Sequence, residues 1–176
     1  NLLDKKSDRR IAAIIPVHIG GQSCDMDPLL ELSKRFSVPL VEDAAHCLPT
    51  TYKNRTVGTI GDVTSFSFYA TKTITTGEGG MVTTNNDEIA SRMKIMRLHG
   101  IDRDSWNRDK VESPSWSYEV IESGFKYNMT DIAASIGIHQ LKKANSFYEK
   151  RRKIAERYNE AFDAVEGLTT PLVEWY

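Results

Sequence analysis

The sequence predicts an α/β protein in which a mostly parallel sheet is flanked by helices, and three stretches carry that prediction. Ile11 to Val17 (IAAIIPV) is a continuous apolar run, the pattern of a strand covered on both faces. A polar turn follows, then an amphipathic helix capped by Asp27, with Pro28 at its first position and Leu29, Leu30, Leu32 and Phe36 as its apolar stripe. Val38 to Val41 is a second apolar run, and strand, helix and strand within about thirty residues form a βαβ unit. The strands of such a unit are parallel, the crossover is right-handed, and ligands gather at the carboxyl rim of the sheet.

The remaining elements follow from local signals. Tyr52 to Val57, with Lys53-Asn54-Arg55 at its tip, reads as a small exposed hairpin. Gly58 and Gly61 lead into a strand at 63–68, and Gly80 to Thr84 is a further short strand. Asn85 or Asn86 caps a helix to about Leu98, with Asp87 and Glu88 in its first turn favouring the positive end of the dipole. The stretch 99–123 is polar and aromatic, with Trp106, Trp116 and Tyr118, and has no regular period; loops that long are usually functional. Thr130 and Asp131 open a helix to Leu141 whose Ile132, Ala133, Ile136 and Leu141 suit a buried setting. A longer, more charged helix runs from about Asn145 to Val165.

Composition narrows the function classes. At 176 residues, 40% hydrophobic and 27% charged, the chain can bury one core. A formal charge of -1 gives no electrostatic reason to expect nucleic acid or an anionic membrane surface. The basic run Lys150-Arg151-Arg152-Lys153 falls on a helix and reads as a solvated face. No apolar run approaches the roughly 20 residues that span a bilayer, and no signal-peptide pattern opens the chain, so the expectation is a soluble, cytoplasmic protein. Cys24 and Cys47, without CxxC spacing or nearby histidine clusters, indicate neither a disulfide framework nor a metal site. With no initiator methionine and an extended segment starting at Glu174-Trp175-Tyr176, the chain reads as a piece of something longer.

The most informative stretch is Ser65 to Gly80, SFSFYATKTITTGEGG. Its first four residues alternate phenylalanine on one face with hydroxyl on the other, and Lys72 follows the strand in a turn rich in threonine and glycine. A lysine in a loop is ordinarily just exposed; the chemical alternative is an amine held to form a Schiff base. At the same rim the sequence puts Asp43 and His46, from Glu42-Asp43-Ala44-Ala45-His46, and Ser67. Each has a plain reading: a carboxylate serving backbone donors at a strand end, a satisfied core histidine, an unremarkable strand serine.

Taken together, IIPVHIGGQSCDMD (14–27), VEDAAHC (41–47), GDVTSFSFYATKTITTGEGG (61–80), RLHGIDRD (97–104) and GFKYNMTDIAASIGIHQL (124–141) resemble the DegT/DnrJ/EryC1/StrS family of pyridoxal-phosphate-dependent sugar aminotransferases. The resemblance covers nearly the whole chain. It implies part of the large domain of an aspartate-aminotransferase-like fold over residues 1–142, then a linking helix and the start of a C-terminal small domain over 143–176. It implies that Lys72 forms the Schiff base with pyridoxal 5′-phosphate and moves the substrate proton, and that Asp43 keeps the pyridine nitrogen protonated so that the ring can act as an electron sink. His46 aligns near the phenolic oxygen or ring face, Ser67 with a hydroxyl donating to the phosphate, and Asn128 with an asparagine reaching the phosphate of the neighbouring subunit in a homodimer that shares its active sites. Read alone, Asn128 is a turn residue. His18, Gln22 and Glu78 lie inside matching motifs with no step assigned.

The implied reaction transfers an amino group from an amino acid, with L-glutamate expected, to a nucleotide-linked keto sugar, and the loop 99–123 is the candidate sugar-nucleotide contact. Family members are about twice this length; the parts beyond this chain supply a phosphate-gripping loop and a ring that stacks on the pyridine. The 176 residues alone are therefore expected to bind cofactor negligibly and to be inactive. Three rivals stand: a non-catalytic homologue of the same fold; a dehydratase, against which Lys72 speaks because a histidine is expected there; and a cysteine desulfurase, for which Cys24 and Cys47 lack a mobile-loop setting.

Overall fold

The structure, a computed structural model, describes residues 3–4, 9–102 and 118–173. Their elements are β1 (Leu3–Asp4), β2 (Arg9–Arg10), a 3-10 turn (Ile19–Gly21), α1 (Met26–Phe36), β3 (Val41–Asp43), β4 (Thr51–Tyr52), β5 (Arg55–Thr56), β6 (Val63–Ser67), β7 (Gly80–Thr83), α2 (Asp87–Met96), α3 (Asp131–Leu141) and α4 (Ala144–Phe162). The central sheet has the order β3-β6-β7, with β3 parallel to β6 and β7 antiparallel to β6. β1 and β2 form a separate antiparallel pair that the sequence did not predict.

The expected strand 11–17 is present as an interrupted parallel ladder on the free edge of β3. Ile14 N–H donates to Pro39 O, Val41 N–H to Ile14 O, Asp43 N–H to Pro16 O and His18 N–H to Asp43 O, all at 2.9–3.0 Å. Pro16 has no N–H, so one rung is missing and only Ile14↔Leu40 and Val17↔Asp43 remain as parallel bridges. The expectation of cover on both faces fails as well, since Ile15 is 63% exposed and Val17 48%. Those two residues share the face that carries the candidate site.

On the opposite face the core forms as the βαβ unit predicts. Met26, Leu29 and Leu30 of α1 pack on Leu40, Ala44, Cys47, Tyr52, Val57, Ile60 and Phe66. The helix begins earlier than its sequence signal: Asp25 is the N-cap, Asp27 lies in the first turn, and Met26 leads the buried stripe while Leu32 is exposed. No side chain caps the helix directly. Instead the buried Tyr52 hydroxyl donates to Asp25 Oδ1 at 2.6 Å and accepts from Asp27 N–H at 3.2 Å. The β4–β5 hairpin that carries Tyr52 closes through Lys53 and Asn54, both with positive φ (44° and 65°), the geometry of a two-residue primed turn. Replacing Tyr52 by Phe keeps the packing and removes this bridged cap. A loss of about 1–2 kcal/mol is expected, read as a shift in the denaturant midpoint; an unshifted midpoint would show that the hydroxyl does not cap the helix.

Two helix signals hold as expected. Asn86 accepts from Glu88 N–H and Ile89 N–H at the start of α2, and Thr130 from Ala133 N–H at the start of α3. The buried setting expected for α3 is not observed: Ile132 is 78% exposed, Ile138 and Leu141 60%. Its inner face does touch the Lys72 turn, where Gln140 Oε1 accepts from Thr75 N–H at 3.4 Å and Gly137 faces the Thr76 methyl.

The stretch 99–123 lies only partly within the described residues; Trp106 and Trp116 fall outside them. Its base is a tight antiparallel crossing, with bridges Leu98↔Lys126 and Ile101↔Val120. Gly100 (φ 71°) has no room for a side chain, because a Cβ there would run into Glu122 O. Gly100→Ala is expected to destabilise the protein by about 2–4 kcal/mol through left-handed strain plus overpacking. Thermal denaturation reads this directly, and a variant melting with the wild type would contradict the crossing.

Candidate functional site

The rim is built by alternation along two adjacent parallel strands. The register Val41↔Val63, Glu42↔Thr64, Asp43↔Ser65 gives paired residues a common face. Glu42, Thr64, Phe66 and Phe68 turn inward, toward the core. Asp43, Ser65 and Ser67 turn to the other face, and Val17, bridged to Asp43, extends that row onto the neighbouring segment. The sequence-predicted split of phenylalanines from hydroxyls along 65–68 is therefore what the sheet shows.

At this rim Asp43 Oδ1 accepts from Ala45 N–H at 3.0 Å, which fixes the carboxylate over the turn that ends β3. Ser65 Oγ–H donates to Glu42 O at 3.2 Å, and Ser67 Oγ accepts from Tyr69 N–H at 3.3 Å. Lys72 lies one turn beyond the end of β6; its N–H donates to Tyr69 O at 3.0 Å. Among the described residues its amine has no carboxylate within ion-pair distance. The turn is anchored from below, with Thr76 N–H and Thr75 Oγ–H both donating to Phe68 O and Ile74 buried with Phe68 and Ala144. Lys72 itself is half-buried on a turn held this way.

His46 is exposed at the same edge, not a core residue, and its Nδ1 accepts from Gly20 N–H at 3.3 Å. Asn128 Oδ1 accepts from Lys126 Nζ, and the next residue, Met129, packs beside Gly79 of the Lys72 turn. The structure thus groups Asp43, His46, Ser67 and Lys72 on one sheet edge, and gives Asn128 a local partner on a segment that abuts the same turn.

A polar cluster with no step assigned from sequence lies directly beneath. Glu42 is wholly buried, yet its carboxylate accepts three hydrogen bonds: Gly61 N–H at 2.6 Å, Thr64 Oγ–H at 2.8 Å and His18 Nε2–H at 2.8 Å. Burial raises the pKa of such a group, but the His18, Gly61 and Thr64 donors outweigh it and hold Glu42 below its ordinary range. Gly61 permits the approach, since a Cβ there would meet the carboxylate at 3.0 Å. The signal was available: a glutamate next to Asp43 on an alternating strand must face inward, where a buried carboxylate needs donors.

Both thiols are unsuited to nucleophilic work. Burial pushes Cys47 up to about 11 and raises Cys24 as well, which removes the thiolate that a cysteine desulfurase would need. Among the described residues no cluster of three or more His, Cys, Asp or Glu is arranged for a metal, and no helix is long and apolar enough to cross a membrane.

Comparison with known proteins decides the family, because the model of the DegT/DnrJ/EryC1/StrS aminotransferase family matches residues 2–175. The chain belongs to that family. Similar members include the spore coat polysaccharide biosynthesis protein SpsC of Bacillus subtilis, 49% identical over 93% of this chain and 42% of that protein. The UDP-4-amino-4,6-dideoxy-N-acetyl-beta-L-altrosamine transaminase of Campylobacter jejuni is 38% identical over 97% of this chain and 43% of its own length. Among solved structures, Spr1654 from Streptococcus pneumoniae in its PMP form superposes with a TM-score of 0.76 at 36% identity, over 86% of this chain and 43% of that one. The fold is accordingly the aspartate-aminotransferase-like α/β fold of DegT/DnrJ/EryC1/StrS enzymes. The chain spans about two-fifths of the length of the relatives it matches.

Proposed function

We propose that the protein carrying this chain is a pyridoxal 5′-phosphate-dependent aminotransferase that moves an amino group from L-glutamate to a nucleotide-linked keto sugar, in the biosynthesis of nucleotide sugars for surface polysaccharide or antibiotics. One observation carries the reading: a fixed carboxylate (Asp43), a strand hydroxyl (Ser67) and a turn lysine (Lys72) share one edge of a parallel sheet beside an uncovered apolar surface, Ile15 and Val17. A flat ring with one basic nitrogen, an aldehyde and a phosphate fits that set of a carboxylate, a hydroxyl and an amine. The family relatives that act on UDP-amino sugars or in polysaccharide synthesis support the substrate class.

When bound, the cofactor supplies an electron sink for the carbanion left after the amino acid loses its α-proton. The chain's residues do the rest. Lys72 Nζ holds the cofactor and, once free, carries the proton as general base. Asp43 keeps the ring nitrogen protonated, Ser67 Oγ–H donates to the phosphate, His46 stands at the ring, and Asn128 reaches the site of a second subunit in a homodimer. Residues 1–142 form the second half of the cofactor-binding large domain, and 143–176 begin the passage to a small domain, in a cytoplasmic enzyme.

The test is the pair of half-reactions on the full-length protein. Glutamate is expected to bleach the visible cofactor band and a keto-sugar nucleotide to restore it. A band untouched by glutamate contradicts the donor, and a protein with no such band contradicts the cofactor. A panel of keto-sugar nucleotides then identifies the acceptor.

A further inference from the structure

We propose that Glu42, acting through His18, is a positioning residue that sets the tautomer and placement of His46 at the rim; the consequence for cofactor binding rests on the aminotransferase reading above. His18 is 1% exposed and bonded at both ring nitrogens. Cys24 N–H donates to its Nδ1 at 3.0 Å, so that nitrogen carries a lone pair and the proton sits on Nε2, where Glu42 Oε2 accepts it at 2.8 Å. The carboxylate therefore dictates which nitrogen of His18 is protonated, and the free nitrogen closes the turn 18–24 by accepting from its far end.

That turn bears on His46 along several lines. Thr50 Oγ–H donates to Gly21 O at 2.9 Å, and Cys47 Sγ–H to His18 O at 3.5 Å, so the turn is seated on the segment that carries His46. In this seating Gly20 N–H points at His46 Nδ1 from 3.3 Å. An N–H aimed at Nδ1 forces the His46 proton to Nε2. His46 thus presents a hydrogen-bond donor, with its ring held, beside Asp43. Two histidines, each accepting a backbone N–H at Nδ1, are thus tied through the backbone of the turn, which relays the setting of the buried carboxylate to an exposed ring without any contact between Glu42 and the ligand. A neutral amide at position 42 cannot accept from Gly61, Thr64 and His18 at once, so the relay fails at its source.

A double-mutant cycle on full-length holoenzyme tests this, with retention of pyridoxal 5′-phosphate measured by equilibrium dialysis. Glu42→Gln and His46→Ala are each expected to weaken retention about tenfold, and Glu42→Gln to add less than about twofold once His46 is alanine. Simple additivity is what a merely structural role gives, and it would overturn the proposal. His18→Leu, which leaves Glu42 its Gly61 and Thr64 donors, serves as a milder variant and should reproduce the His46-dependent loss. Two-bond 15N–1H spectra of histidine-labelled, cofactor-free full-length protein read the tautomers directly. Wild-type His46 is expected as Nε2–H and the two variants as a mixture. A His46 that is Nδ1–H in the wild type, or unchanged in both variants, overturns the proposal without reference to cofactor. Failure of the wild type to retain cofactor while the tautomer shift is intact removes the aminotransferase reading and leaves the relay standing.

Discussion

Lys72→Ala in the full-length protein is expected to lower the rate of both half-reactions by at least about 10³-fold, the loss of a covalent anchor and a general base in one side chain. Lys72→Arg separates chemistry from charge. Guanidinium keeps the positive charge but is neither a nucleophile nor a base at working pH, so the arginine variant should be as inactive as the alanine one. Because Lys72 makes no ion pair among the described residues and its turn is held by Phe68 O and Ile74, neither substitution should move the denaturation midpoint appreciably. Single-turnover bleaching by glutamate measures the chemical effect. An arginine variant with substantial activity would mean that position 72 supplies only charge.

Glu42→Gln is expected to cost about 2–4 kcal/mol of stability at pH 7, because three donors aimed at a carboxylate then face an amide that can satisfy only some of them. The pH dependence gives the sign. Glu42 in the folded protein lies below its ordinary value of 4.5, so its contribution is fully present above that value and is lost as pH falls through the lower, folded value. The wild type should therefore exceed the variant most near neutrality, and the gap should close as the solution is acidified below about pH 4.5. Denaturant midpoints of the two proteins across that range check it. A gap independent of pH would show that the carboxylate's charge is not what the buried cluster uses.

How far the sequence could be read depends on how local each signal is. Caps and turns reported faithfully at Asn86, Thr130 and Lys53-Asn54, since each rests on neighbouring backbone groups. The alternation at 65–68 placed Ser67 and the phenylalanines on their correct faces, because a period of two leaves no freedom once one face is buried. Elsewhere the signal was overridden by something distant. Pro16 broke the ladder of the 11–17 strand at a rung set by its pairing with β3. Tyr52, from a hairpin beyond the helix, fixed the start of α1 at Asp25 where the sequence favoured Asp27. The apolar side chains of α3 announce burial, but among the described residues nothing covers Ile132 or Ile138, so composition recorded a contact that those residues do not make. The His18–Glu42 cluster is not legible in the sequence because its partners are 24 residues apart and only the pairing of the 14–18 segment with β3 brings them together.

The most direct test of the account is chemical trapping on the full-length protein. Reduction with borohydride in the presence of pyridoxal 5′-phosphate, followed by proteolysis and mass spectrometry, should yield one phosphopyridoxyl adduct, on the peptide containing Lys72. An adduct on any other lysine, or an equal adduct in Lys72→Ala, would contradict the assignment on which the rim, its carboxylate and the proposed transamination all depend.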